Sequence, residues 1–418
     1  MNRIGFHYFQ DTQHYRQSDL DTWLPELRTT GVSWLVLKAP PDRAIPERFL
    51  LGLLEAGIKP VLHFDFPPDN TPAKEDLTLL FQVYAKWGVE YITLFNKPNL
   101  QTGWQTTNWA QTDLVERFLD IYLPLAKICV NAGLTPIYPP LEPGGDYWDI
   151  AFLKSSLRSI KRRGYKYLLD KLVIGAVART RGNPLNWGAG GPERWPKARP
   201  YFTPENEEDQ RGFRIFDWYN TFVQSILVAP KPIFLFEVGG PGDDDPEHKN
   251  HTLLNKTILH LLDGESIPGI DPIPENVIGA AFWLLSGPAE DQNAAHVWYT
   301  TPSEYKPIVE LLHNRAKVSN NGSKEAKTTF HSISHYLLLP TYAGEISDVH
   351  LDLIRPFVKK YQPTIGFSIQ EACQAERVTV IGGNGTYPQN EINELRNAGC
   401  IVHQIEGHGI DIASFMAS

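Results

Sequence analysis

Apolar residues along this chain fall into two alternating rhythms. Short unbroken runs, such as Trp34-Leu35-Val36-Leu37 and Ile233-Phe234-Leu235-Phe236, read as strands buried on both faces. Between them lie longer stretches with apolar residues at helical spacing, such as Trp23, Leu24 and Leu27, or Phe49, Leu50, Leu53 and Leu54. The punctuation is regular. Gly31, Gly57, Gly88 and Gly133 close helical stretches, and Pro40-Pro41 and Pro67-Pro68 stop strands.

In order, the pattern predicts strands beginning at Ile4, Trp34, Lys59, Tyr91, Thr135, Lys171, Ile233 and Val277, the first reaching Phe9 and the last Leu284. Helices are predicted from Asp21, Pro46, Leu77, Leu114, Trp148, Phe213, His251 and Tyr305. Eight strand–helix units within residues 1–315 are the pattern of a (β/α)8 TIM barrel. A doubly wound open sheet would need a glycine-rich phosphate loop after the first strand, and Phe9-Gln10-Asp11 supplies none. Residues 316–330, including Ser319-Asn320-Asn321-Gly322-Ser323, read as a polar linker. Residues 331–418 read as a second, small α/β domain with Rossmann-like layering.

A net charge of -9 argues against a non-specific nucleic-acid binder, which needs a basic face. No apolar run is long enough to span a membrane. The N-terminus lacks a basic region followed by an apolar run, so no signal peptide is expected. That leaves a cytoplasmic protein or a trimmed secreted form. Cys129, Cys373 and Cys400 have no ligand-like spacing; Cys129 reads as a buried thiol, and pairing of the other two is left open.

Two strand ends carry the chemistry: Tyr91-Ile92-Thr93-Leu94-Phe95-Asn96-Lys97-Pro98-Asn99 and Pro232-Ile233-Phe234-Leu235-Phe236-Glu237-Val238-Gly239-Gly240. They resemble the fourth and seventh strands of clan A glycoside hydrolases. In that family strand four ends in Asn-Glu-Pro, whose Glu is the acid/base, and a second Glu at the end of strand seven is the nucleophile. The resemblance places Asn96 on the Asn, Glu237 on the nucleophile and Lys97 on the acid/base position. A retaining glycosidase needs one carboxyl to attack and another to protonate the leaving oxygen. A lysine amine, with an ordinary pKa of about 10.4, holds its proton too tightly for that cycle. An ion pair between Lys97 and Glu237 is the simplest expected outcome.

The same resemblance implies further site residues. Lys38 ends the second strand where the clan often has a basic residue. Arg179 and Arg181 end the sixth, where a His or Tyr is usual. Trp283 matches the clan's sugar-platform aromatic, or else packs inside the barrel. His7 and His63 are expected as hydrogen-bonding walls rather than metal ligands, and neither metal nor cofactor is implied. Asp243-Asp244-Asp245 reads as a solvated acidic loop rather than a cation site.

The expectation is a glycan-binding, hydrolase-like barrel with lost or weakened hydrolysis. One rival is an active retaining hydrolase that recruits Glu142 or Asp146 as its acid. Another is an assembly protein using the barrel as scaffold. Lys97, Arg179 and Arg181 point to an anionic glycan, unless the arginines turn outward to Glu193, Glu205, Glu207 or Glu208. In the second domain, Val378 to Gly385, the helix from Glu391 to Ala398, Gly399 and Ile405-Glu406-Gly407 resemble one bacterial cell-wall-binding repeat, which implies a cell-wall polymer as partner. Only one copy is present, and its ending, His408-Gly409-Ile410-Asp411, departs from the family.

Overall fold

Eight short strands form a closed parallel barrel in chain order: β1 (Ile4–His7), β2 (Trp34–Lys38), β3 (Lys59–Phe64), β4 (Tyr91–Leu94), β5 (Thr135–Tyr138), β6 (Val173–Arg179), β7 (Ile233–Gly239) and β8 (Val277–Phe282). The ring closes where β8 pairs with β1, Ile4 opposite Ala280 and Phe6 opposite Phe282. The computed structural model describes residues 2–240, 249–287, 294–314, 333–340, 354–355, 357–359, 361, 363–381, 386–398 and 400–405. The chain divides into two compact units, residues 1–316 and 317–418.

Strand side chains alternate between the barrel axis and the helix layer. The inner set is Trp34, Val36, Val61, Tyr91, Ile137, Val173, Phe234, Phe236 and Ala281, a cluster of its own. Trp34 fills the axis, edge to face with Tyr91 and Phe234 at 5.3 Å each. Gly5 makes room, since a Cβ there would stand 2.6 Å from that of Trp34. Residues of opposite parity, such as Leu35, Leu37, Leu62 and Leu235, pack outward against the helices.

The helices are α1 (Gln17–Thr29), α2 (Glu47–Glu55), α3 (Lys74–Lys86), α4 (Thr106–Trp109), α5 (Leu114–Asn131), α6 (Asp149–Arg162), α7 (Lys166–Lys171), α8 (Gly191–Arg194), α9 (Ile215–Leu227) and α10 (Lys249–Leu262). Apolar spacing locates their middles better than their ends. α1 starts four residues before the expected Asp21, where the Asp19 carboxylate accepts from the Arg16 N–H at 2.7 Å and ties down the first turn. Lys171, expected in the sixth strand, ends α7, which buries Leu168 and Leu169. Phe9, Trp283 and Leu284 lie beyond their strands, and Tyr305, expected in the last helix, pairs in a short hairpin, β9 (Tyr299–Thr301) with β10 (Glu304–Tyr305).

In the second unit β11 (Ile333–Leu338), β12 (Thr364–Gly366), β13 (Ala375–Ile381) and β14 (Ile401–Ile405) form a parallel sheet in the order β12-β11-β13-β14. Tyr336, Leu338, Val378 and Val380 face one core, which Ile392 and Leu395 of the helix Gln389–Asn397 complete. Leu337, Leu339 and Ile381 face another, with Ile354 and Phe357. Cys373 and Cys400 are free thiols, as is the buried Cys129. The expected linker, Asp243-Asp244-Asp245, the Gly382 to Gly385 turn and the chain from Glu406 onward lie outside the described residues.

Candidate functional site

The inward parity that places Val36 and Val61 in the barrel continues to Lys38 and His63 at the C-terminal ends of β2 and β3, and His7 follows Gly5 in the same way. These ends form the mouth where TIM barrels carry their ligands. β7 needs a further device. Phe236 points to the axis, so alternation alone would send Glu237 to the helix layer. Glu237 instead has a left-handed backbone, φ 52°, and the register with β8 shifts between Leu235 and Val238. Its carboxylate thereby joins the mouth. Phe95 and Lys97, past the end of β4, are left-handed too, at φ 65° and 49°. Such conformations are strained for residues with a Cβ.

Lys97 sits between two carboxylates. Its Nζ is 3.0 Å from Glu237 Oε2 and 2.9 Å from Glu142 Oε2. Arg179 Nε lies 2.8 Å from the same Glu237 oxygen, and Arg181 Nη2 contacts Glu142 Oε1. The outward alternative for the arginines is therefore not what the chain adopts. Glu207 pairs with Lys197, and Glu208 accepts from the Gly188 N–H. Three cations and two carboxylates make a network with one net positive charge. Lys38 stands apart from it, pairing with Asp65 at 3.4 Å where both side chains are partly exposed.

Burial would raise the Glu237 carboxyl, but Lys97 and then Arg179 outweigh it and hold the group below the usual carboxylate range. Glu142 shows the same balance, with Lys97 and Arg181 overcoming burial. Each carboxyl is thus kept ionised. The Glu237 N–H donates to His7 Nε2 at 3.1 Å, which requires the neutral imidazole. Burial first, then His63, Arg179 and Lys97, push His7 well below its ordinary value. His63 is also lowered by burial and donates through Nε2 to the Phe95 carbonyl at 2.9 Å.

Trp283 lies at the mouth rather than inside the barrel. Its ring meets His7 edge to face at 4.8 Å, and the Arg179 guanidinium carbon lies 5.3 Å from its centre. The peptide bond between Trp283 and Leu284 is cis. Asn96 lines the mouth, and its Oδ1 is buried with no donor among the described residues. Asp146 does not join: it is exposed and accepts from the Gln101 N–H at 2.8 Å. The mouth cavity itself measures about 90 Å3, room for about three waters.

Asn99 is a positioning residue that residue patterns do not single out. Fully buried, it donates to the carbonyls of Glu142 and Tyr147 at 2.8 and 2.9 Å and accepts from the Glu142 N–H at 2.8 Å. It thereby fastens the loop after β5 that carries Glu142. Asp65, two residues beyond His63, and Gln10 also line the mouth. Among the described residues no cluster of His, Cys, Asp or Glu has the arrangement of a metal site, and no helix is long and apolar enough to cross a membrane.

No family model matches the sequence, and no curated protein matches it. Solved structures with similar folds include a GH128 (subgroup II) endo-beta-1,3-glucanase from Sorangium cellulosum, 15% identical, covering 74% of this chain and 97% of that one at a TM-score of 0.42. An endo-beta-1,4-glucanase from Xanthomonas axonopodis pv. citri is 10% identical, covering 76% and 99% at a TM-score of 0.44. A psychrophilic glycoside hydrolase family 10 endo-beta-1,4-xylanase is 9% identical, covering 75% and 96% at 0.42. The barrel itself stands on its own strand pairing.

Proposed function

We propose that this protein is a glycoside-hydrolase-like barrel that binds glycan and has lost efficient hydrolysis. The observation that carries the reading is the Lys97 ammonium lodged between Glu142 and Glu237. Glu237 Oε2 meets two cations, which lowers its power as a nucleophile. Glu142, the carboxyl that shares the Lys97 ammonium with it, is held ionised by Lys97 and Arg181 and so lacks the proton a general acid must give. The net positive charge of the network favours acidic glycans, and Arg179, Trp283 and Asn96 are the groups we assign to ligand contact.

Turnover of aryl β-glycosides and β-glucan oligosaccharides tests the reading. The expected result is little or none for the wild type and a measurable gain for Lys97→Glu. Robust wild-type hydrolysis that disappears in Glu237→Gln would overturn it in favour of an active enzyme.

The small mouth cavity favours a second reading, in which the barrel is a scaffold. Calorimetry with matched neutral and uronic-acid oligosaccharides separates the two. Tighter binding of the acidic series, weakened in Arg179→Ala, supports a glycan site; no binding of either series supports the scaffold. For the unit 317–418 we propose a cell-wall polymer contact, tested by co-sedimentation of the chain with bacterial cell-wall preparations.

A further inference from the structure

A second and larger cavity, about 440 Å3, lies on the flank of the barrel beside α6, α9 and the loop that follows β6. That volume falls within the range of small-molecule sites. Its walls are aromatic: Trp148 at the start of α6, Trp195 in the loop, and Trp218 and Phe222 four residues apart on α9. Trp195 and Trp218 direct their indole N–H groups to the carbonyls of Ala189 and Gly188, at 3.0 and 2.8 Å. What they offer a ligand is ring surface.

Around these rings stand Lys154, Arg158 and Arg199, with no carboxylate among the lining residues. Lys154 Nζ lies 4.6 Å from the centre of the Phe222 ring. Neither Lys154 nor Arg158 has a carboxylate at ion-pair distance among the described residues, in contrast to every cation of the mouth network.

Gln210 adds a direction. It is 1% exposed and lines the cavity. Its Nε2 donates to Asp149 Oδ1 at 2.7 Å, which fixes the amide, because the carbonyl end cannot donate to a carboxylate. Oε1 is therefore a buried acceptor, and no donor reaches it among the described residues. Buried acceptors are ordinarily paired.

We propose that this cavity binds a hydroxylated ring acid. The ring lies against the tryptophan faces, an anionic group meets Lys154 and Arg158, and a ring hydroxyl donates to Gln210 Oε1. Phenolic acids and uronic-acid sugars share this chemistry, and the test distinguishes them. The site is independent of the mouth and of the function proposed for it.

The full chain is titrated by calorimetry with 4-hydroxybenzoate, glucuronate, benzoate and 4-hydroxybenzyl alcohol, while NMR follows the indole N–H signals. At least one hydroxy acid should bind and shift the signals of Trp195 and Trp218, and the tighter of the two names the source. For a phenolic ligand, benzoate and the neutral alcohol should each bind roughly tenfold more weakly, the loss expected for one charge-assisted or buried hydrogen bond. The Lys154→Gln/Arg158→Gln double variant, altered at positions outside the core, should weaken either acid by roughly the same factor. Failure of both acids to bind at about 10 mM, near the weak end of measurable affinity, would overturn the proposal. So would affinity unchanged in the double variant, or binding lost instead in Arg179→Ala, which would assign the ligand to the mouth.

Discussion

Removing the Lys97 charge tests the bridge that defines the mouth. Lys97→Met keeps an unbranched stem and deletes the ammonium. Glu237 keeps Arg179, and Glu142 keeps Arg181, so neither carboxylate is left alone. What disappears is the cation between them. The two Oε2 atoms can lie no farther apart than the two contacts to Nζ laid end to end, about 5.9 Å. At an effective dielectric constant of ~20, two unit charges at that distance repel by about 3 kcal/mol. In the wild type the ammonium offsets that repulsion; left uncompensated in the variant, it sets the expected loss at pH 7 at about 3 kcal/mol, the lower end of the cost of breaking a buried pair. The loss should shrink on acidification. In the wild type both carboxyls are depressed, so the stability they bring is complete above the ordinary carboxylate range and falls away as pH drops through the lowered values. In the variant the repelling pair takes up a shared proton at higher pH, which relieves the repulsion. Urea unfolding of both proteins at pH 7 and pH 5 measures this. An unchanged midpoint at pH 7, or a loss of equal size at both pH values, would refute the bridge as the organiser of the site.

Asp149 should show the opposite sign. It is fully buried, accepts from Gly144, Gln210 and Tyr219, and burial still raises it from 3.8 to about 6. The folded state holds that proton more tightly, so this group costs stability as pH rises through the window. Asp149→Asn should gain about 1.4 kcal/mol over wild type on going from pH 5 to pH 7, and parallel pH profiles would refute this. His7 and His63 should stay neutral where an exposed histidine protonates. Because the unfolded chain takes those protons first, stability should fall below about pH 6.5, and an ordinary imidazole midpoint by NMR for either ring would refute the assignment. Limited proteolysis within residues 316–330 should release two folded pieces; unfolding of the smaller piece on release would move the proposed boundary.

The barrel was legible because its strands are buried on both faces and appear as unbroken apolar runs between glycine and proline stops. Their ends were less so. β6 begins two residues later than the apolar run suggests because the preceding turns of chain coil into α7. The mouth was legible only in part. Period-two alternation explains His7, Lys38 and His63. It fails for Glu237, which the family resemblance singled out and the left-handed backbone re-aims. The inward turn of Arg181 follows another left-handed residue, its own φ being 54°. Asn99 escaped because its task is to join two loops through their backbone groups, which no residue pattern reports. The cavity on α6 and α9 is a product of packing between segments distant in sequence, where residue spacing is silent.

Closure of the ring at β1 and β8 has a consequence for how the chain is made. β1 can pair with β2 almost as soon as both have emerged, but its other edge waits for β8, roughly 240 residues later. At synthesis rates of roughly 5–20 residues per second, that wait is on the order of ten to fifty seconds. Through it, the strand Ile4-Gly5-Phe6-His7 presents an uncharged edge with unsatisfied amide groups, the template that foreign strands seek. It is the ribosome-bound intermediate, and not the finished barrel, in which this edge stands open.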